Sequence, residues 1–135
     1  MLYKKNLIII FTILTILSII IVTPNGARMV AYIGSYGTSE FENQNFPKPS
    51  AIIMQYTGYS DYTENDPPTF ACVGENDNIA NWKIMSQRID NLNNLGITTE
   101  FHKYPNIGHG FGLGIGTSAE NWFNYAINFW ENQIL

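Results

Sequence analysis

The chain has 135 residues, 45% of them hydrophobic and 14% aromatic, which is enough for one packed domain and too apolar for a disordered chain. Seven Lys and Arg against eleven Asp and Glu leave a net charge of −4, and two of the bases, Lys4 and Lys5, stand at the extreme N-terminus. The acidic remainder has no cluster of bases to attract a phosphate backbone, which argues against nucleic acid as a partner.

The first predicted element is an apolar run. Leu7 to Val22 is almost entirely Ile, Leu, Phe and Thr, and no charge intervenes between Lys5 and Arg28. The pattern fits a signal or anchor segment, with residues 1–22 as an N-terminal membrane unit and residues 23–135 as a domain held outside the cytoplasm. Sixteen helical residues reach about 24 Å, slightly short of a bilayer core. No small-x-small cleavage site follows the run, which favours an uncleaved anchor. Ile19 to Val22 also suits a buried strand, and one segment cannot be both.

Pro24-Asn25-Gly26 then reads as a turn and Ala27 to Ile33 as a short helix ended by Gly34. Residues 35–50 suit a surface loop, and Ala51 to Gln55 a short apolar strand. The polar loop from Gly58 to Pro68 holds Asp61, Glu64 and Asp66, all expected to be solvated. Thr69 to Val73 is a strand of buried type containing Cys72, a single cysteine that excludes an internal disulfide and is expected to be a small buried hydrophobe. Ile79 to Leu95 is the clearest amphipathic helix, with Ile79, Trp82, Ile84, Met85, Ile89, Leu92 and Leu95 inward and Gly96 as its stop. Ile97 to Tyr104 alternates as a strand, and Ser118 to Gln133 gives a last helix with Trp122, Phe123, Ala126, Phe129 and Trp130 inward. Short buried strands alternating with helices predict an α/β fold with a parallel sheet covered on both faces.

Ligands of open parallel sheets bind beyond the carboxyl ends of the strands. Two polar segments stand there: Gly74-Glu75-Asn76-Asp77, and Asn106-Ile107-Gly108-His109-Gly110-Phe111-Gly112. A carboxylate and an imidazole on neighbouring strand ends can pair, the carboxylate fixing the tautomer of the ring and stabilising its cation. Asp77 and His109 are therefore the candidate catalytic residues. The plainer alternative is that Asp77 caps the helix starting at Ile79 and His109 is an ordinary loop histidine. His102, inside an alternating strand, is expected to be structural or exposed. Two histidines without a ligand-spaced carboxylate cluster give no metal site, and no cofactor motif is present.

The segments GARMVAYIGSYGT, IMQYTG, PPTFACVGENDNIA, GITTEFHKYPNIGHGFGLG and AENWFNYAINFW together resemble the C-terminal half of α/β-hydrolases of the acetyl esterase/lipase-like group, which includes carbohydrate-ester deacetylases. The resemblance runs from about Pro24 to Leu135, and its most specific pieces are the G-x-N-D after one strand and the H-G-F-G after the next. It implies a partial α/β-hydrolase fold and a Ser-Asp-His triad, with Asp77 as orienting acid, His109 as general base, and a small ester or acetylated carbohydrate as substrate.

The sequence departs from the family at the nucleophile. With Gly26 on the second glycine of the G-x-S-x-G elbow, Pro24 falls at the serine position and has no nucleophilic atom. Thr23 is one residue off, Ser35 lies at the far end of the following helix, and an oxyanion loop of His-Gly-Gly-Gly type has no counterpart. The expectation is a truncated hydrolase that keeps acid and base, lacks the nucleophile and is inactive alone. The alternatives are an esterase completed by another chain, and a membrane-tethered binding module that pairs an exposed apolar sheet edge with a partner or with itself.

Overall fold

The computed structural model describes residues 21–22, 24–37 and 48–135. In chain order these form β1 (Ile21–Val22), α1 (Pro24–Tyr36), β2 (Ile52–Gln55), β3 (Thr69–Gly74), α2 (Trp82–Asn94), β4 (Thr99–Tyr104) and α3 (Trp122–Ile134). The four strands lie in the order β1-β2-β3-β4 and every pairing is parallel.

Successive side chains of a strand point to opposite faces, and here both faces are covered. Ile52, Met54, Ala71 and Val73 pack with Val30 and Ala31 of α1 and with Met85, Ile89 and Leu92 of α2. Ala51, Ile53, Phe70 and Cys72 pack with Trp122, Ala126 and Phe129 of α3. Burial on both faces explains why β2 and β3 read as continuous apolar runs. It also holds the Cys72 thiol, fully buried, well above its ordinary pKa.

Helix α1 begins earlier than expected and runs through Gly34 to Tyr36. A Cβ at Gly34 would stand 1.9 Å from Cδ1 of Ile52, so this glycine serves close approach of the helix to β2 and not termination. The stop comes at Gly37, whose positive φ of 78° suits a helix end and whose amide donates to the Ile33 carbonyl at 2.7 Å. Helix α2 begins later than expected: Asn81 caps it by accepting from the Lys83 amide at 2.9 Å. Ile79 consequently lies before the helix and is exposed, as are Ile84 and Leu95. The buried stripe is Met85, Arg88, Ile89 and Leu92.

Parallel neighbours usually need a helical crossover, yet β2 and β3 are joined by the irregular loop 56–68. Arg88 fastens that loop. Its Nη2 pairs with Oδ2 of Asp66, its Nε donates to the Asp61 carbonyl at 2.9 Å, and Oδ1 of Asp66 accepts from the amide and hydroxyl of Thr63 at 3.0 and 3.1 Å. Asp66, expected in solvent with Asp61 and Glu64, is therefore buried, because a loop that must return across the sheet needs an internal anchor. Asp61 and Glu64 are exposed.

Ile21 and Val22, the end of the run expected as an anchor, are strand residues opposite Ile53 and Met54. The rest of that run, residues 7–20, lies outside the described residues. Among the described residues no helix is long and apolar enough to cross a membrane.

Candidate active site

Strands β3 and β4 end level with one another, Gly74 opposite Tyr104, so the segments that follow leave the sheet side by side. Two backbone hydrogen bonds stitch them together: the Glu75 amide donates to the Tyr104 carbonyl at 2.8 Å and the Asn76 amide to the Ile107 carbonyl at 2.9 Å. The second loop lies directly on Gly74, where a Cβ would meet the Ile107 carbonyl oxygen at 2.3 Å. Close approach of two backbones is what fixes the distance between the side chains beyond them.

Those side chains are Asp77 and His109. The Asp77 carboxylate is fully buried, with Oδ1 accepting from the amides of Ile79 and Ala80 at 2.8 and 2.7 Å. Oδ2 stands 2.8 Å from Nδ1 of His109. Capping the turn and pairing with the histidine are thus not alternatives, since each oxygen does one of the two. A carboxylate on Nδ1 keeps the proton there and leaves the Nε2 lone pair available. Among the described residues Nε2 makes no hydrogen bond, and the imidazole is one-fifth exposed.

The ring of His109 meets Tyr56 edge-on, centroids 5.0 Å apart, and Phe111 meets the same tyrosine at 5.1 Å. Gly110, at φ +77°, makes the turn that lets both neighbours reach one ring. Tyr56 itself has a positive φ of 37°, a conformation that costs a non-glycine residue about 1–2 kcal/mol. Its amide donates to the Cys72 carbonyl at 2.8 Å, and the preceding Gln55 donates from Nε2 to the Gly112 carbonyl at 2.7 Å. Trp122 Nε1 donates to that same carbonyl at 2.8 Å. The carboxyl end of β2 thereby holds the histidine loop from below. Sequence reasoning missed Gln55 and Tyr56, whose one visible signal is their position at the end of a buried strand.

The other candidates lie elsewhere. His102 is within β4, its Nε2 2.5 Å from Oε1 of Glu100 and its ring stacked on Tyr125 at 5.0 Å, a structural role in an aromatic cluster. Ser35 is buried in α1, its hydroxyl donating to the Ala31 carbonyl at 3.0 Å. Among the described residues no group of three or more metal-ligating side chains converges. A cavity of about 300 Å³ lined by Ser60, Lys83, Ile84, Gln87, Arg88 and Asn91 includes neither Asp77 nor His109.

Burial first, then the neighbouring Cys72, raises the pKa of Tyr56, with a backbone hydrogen bond from Gly112 pulling the other way. Burial likewise raises Tyr59 and Tyr104, whose hydroxyls have no hydrogen-bond partner among the described residues. Folded-state values above the unfolded ones, 10.0 for tyrosine and 9.0 for Cys72, mean that the neutral forms favour the fold. Their contribution is complete below those unfolded values and is lost as pH rises through the folded ones. The urea midpoint should accordingly hold steady near pH 8 and fall by about pH 11. A midpoint unchanged over that range would contradict the burial argument.

No protein-family model and no curated protein matches the chain. Solved structures do match in fold. The α/β-hydrolase MGS-M1 from a Medee basin deep-sea metagenome superposes with a TM-score of 0.69 at 16% identity, over 85% of this chain and 53% of its own. An acetyl ester-xyloside bifunctional hydrolase from Caldicellulosiruptor lactoaceticus gives 0.68 at 16% identity, over 82% and 54%. The carboxylesterase Cest-2923 from Lactobacillus plantarum WCFS1 gives 0.66 at 14% identity, over 82% and 56%. The chain thus spans little more than half the length of each. Taken with the parallel sheet covered by helices on both faces, these likenesses identify the fold of the chain as a partial α/β-hydrolase fold.

Proposed function

We propose that the chain carries the acid and base of a carboxylic-ester hydrolase of the Ser-Asp-His type, directed at small esters or acetylated carbohydrates. The observation that carries this reading is the 2.8 Å contact between Oδ2 of Asp77 and Nδ1 of His109, made at the carboxyl ends of adjacent parallel strands with Nε2 free of hydrogen bonds among the described residues. The esterases and hydrolases of like fold supply the class of substrate.

In this reading His109 takes the proton of an attacking hydroxyl through Nε2, at a reach of about 2.6–3.2 Å, and returns it to the leaving alcohol. Asp77 orients the ring and stabilises the imidazolium formed between those steps. In this reading no nucleophile stands at the elbow position. Helix α1 starts at Pro24, two residues beyond the end of β1, and proline offers no attacking atom. We therefore expect the chain alone to leave a chromogenic acetate ester no faster hydrolysed than the His109→Ala variant does. A rate that falls about 10²–10⁴-fold in His109→Ala would overturn this inactivity.

Among the described residues β1 stands at the sheet edge, which favours a second reading, an esterase completed by another chain. It requires a stable complex in which ester turnover appears and is abolished by His109→Ala. A complex without turnover would count against it.

A further inference from the structure

We propose that Tyr56 is a positioning residue for His109, acting through the edge of its ring; this rests on the reading of Asp77 and His109 as acid and base. Asp77 holds one atom of the imidazole, Nδ1. A single hydrogen bond leaves the ring free to swing about it, and Nε2 would sweep an arc instead of facing one point. The Tyr56 ring removes that freedom, since it stands 5.0 Å from the imidazole at an interplanar angle of 65° and is itself almost wholly buried.

Three features tie this contact to position and not to core filling alone. Tyr56 adopts φ +37°, where tyrosine is unfavourable and glycine or asparagine would be at ease, so its side chain is retained against the preference of its backbone. His109 and Phe111 straddle the same ring, at 5.0 and 5.1 Å, with Gly110 between them at φ +77°. Phe111 in turn meets Tyr104 edge-on at 6.0 Å, so the clamp reaches the end of β4. The ring is thus held on the side of β2 by Tyr56 and on the side of β3 by Asp77.

The test is solvent exchange of the His109 Nδ1 proton in ¹⁵N-labelled full chain, which needs no substrate. In Tyr56→Asn, which suits the backbone but removes the ring, this proton should exchange about tenfold faster while the amides of β3 keep their protection. In Tyr56→Phe, which keeps the ring edge, exchange should match the unaltered chain. Should the asparagine variant fail to fold, Tyr56→Met keeps most of the volume without a flat edge and should show the same acceleration. Unchanged exchange in a folded Asn or Met variant, or equal acceleration in Tyr56→Phe, would overturn the proposal while leaving the acid–base reading intact. A proton unprotected in the unaltered chain would defeat the Asp77–His109 pair and both readings together.

Discussion

Gly74→Val should destabilise the domain by about 2–6 kcal/mol, combining overpacking of about 1–3 kcal/mol with loss of two backbone hydrogen bonds at about 0.5–1.5 kcal/mol each. The reason is that nothing near Gly74 can rotate away. A Cβ there meets the Ile107 carbonyl oxygen at 2.3 Å, the Gly108 carbonyl oxygen at 2.7 Å and the Ile107 carbonyl carbon at 2.8 Å, all of them backbone atoms. The loop would have to lift, breaking the bonds from Glu75 to Tyr104 and from Asn76 to Ile107 and drawing His109 away from Asp77. Gly108 is the internal control. A Cβ at that position meets nothing nearer than the Asn76 carbonyl oxygen at 3.8 Å, so Gly108→Ala should leave the urea midpoint almost unchanged. Equal midpoints for Gly74→Val and Gly108→Ala would show that the two loops are not held by backbone contact.

That contact explains how much of the site could be read from residue order. Strand ends in a parallel sheet collect on one edge whatever the side chains are, so an Asp and a His following consecutive strands were bound to lie near each other. Their partnership was legible for that reason. The distance was not, because it depends on Gly74 having no Cβ beneath Ile107, and a glycine at the end of a strand has several other readings. Tyr56 carries no signal of its positive φ, since nothing about tyrosine favours that conformation and only the surrounding contacts impose it. Arg88 went unread. It falls on the same helical stripe as Met85, Ile89 and Leu92, and a charged residue at such a position is a sign of a buried partner. Asp66, in a loop of polar residues, gave no sign of being that partner. The boundaries of α1 and α2 shifted because Gly34 and Ile79 were read by residue type. The first is a helix interior position that must be small against Ile52, and the second lies in the turn that Asp77 caps.

Arg88→Met should cost about 3–5 kcal/mol, the range for removing one partner of a buried ion pair, which is of the order of the whole stability of a small domain. The side chains of Arg88 and Asp66 are 1% and 0% exposed, so the carboxylate left behind cannot be rescued by solvent without opening the loop. Burial already lowers the pKa of Arg88, and the Coulombic pull of Asp66 is the main force against that penalty. Replacing both members by apolar residues should recover part of the loss and no more. The amide of Thr63 would then lose its acceptor on Asp66, and the Asp61 carbonyl would lose the Nε donor of Arg88. The loss should be local as well as global, because loop 56–68 joins β2 to β3 without a helix and Arg88 is what holds it against α2. Limited proteolysis of Arg88→Met should therefore cut first between Tyr59 and Asp66. Since the loop begins at Tyr56, its release should also quicken exchange of the His109 Nδ1 proton. An Arg88→Met variant with an unchanged urea midpoint and an uncut loop would mean that the apolar faces of the sheet hold β2 and β3 in register unaided.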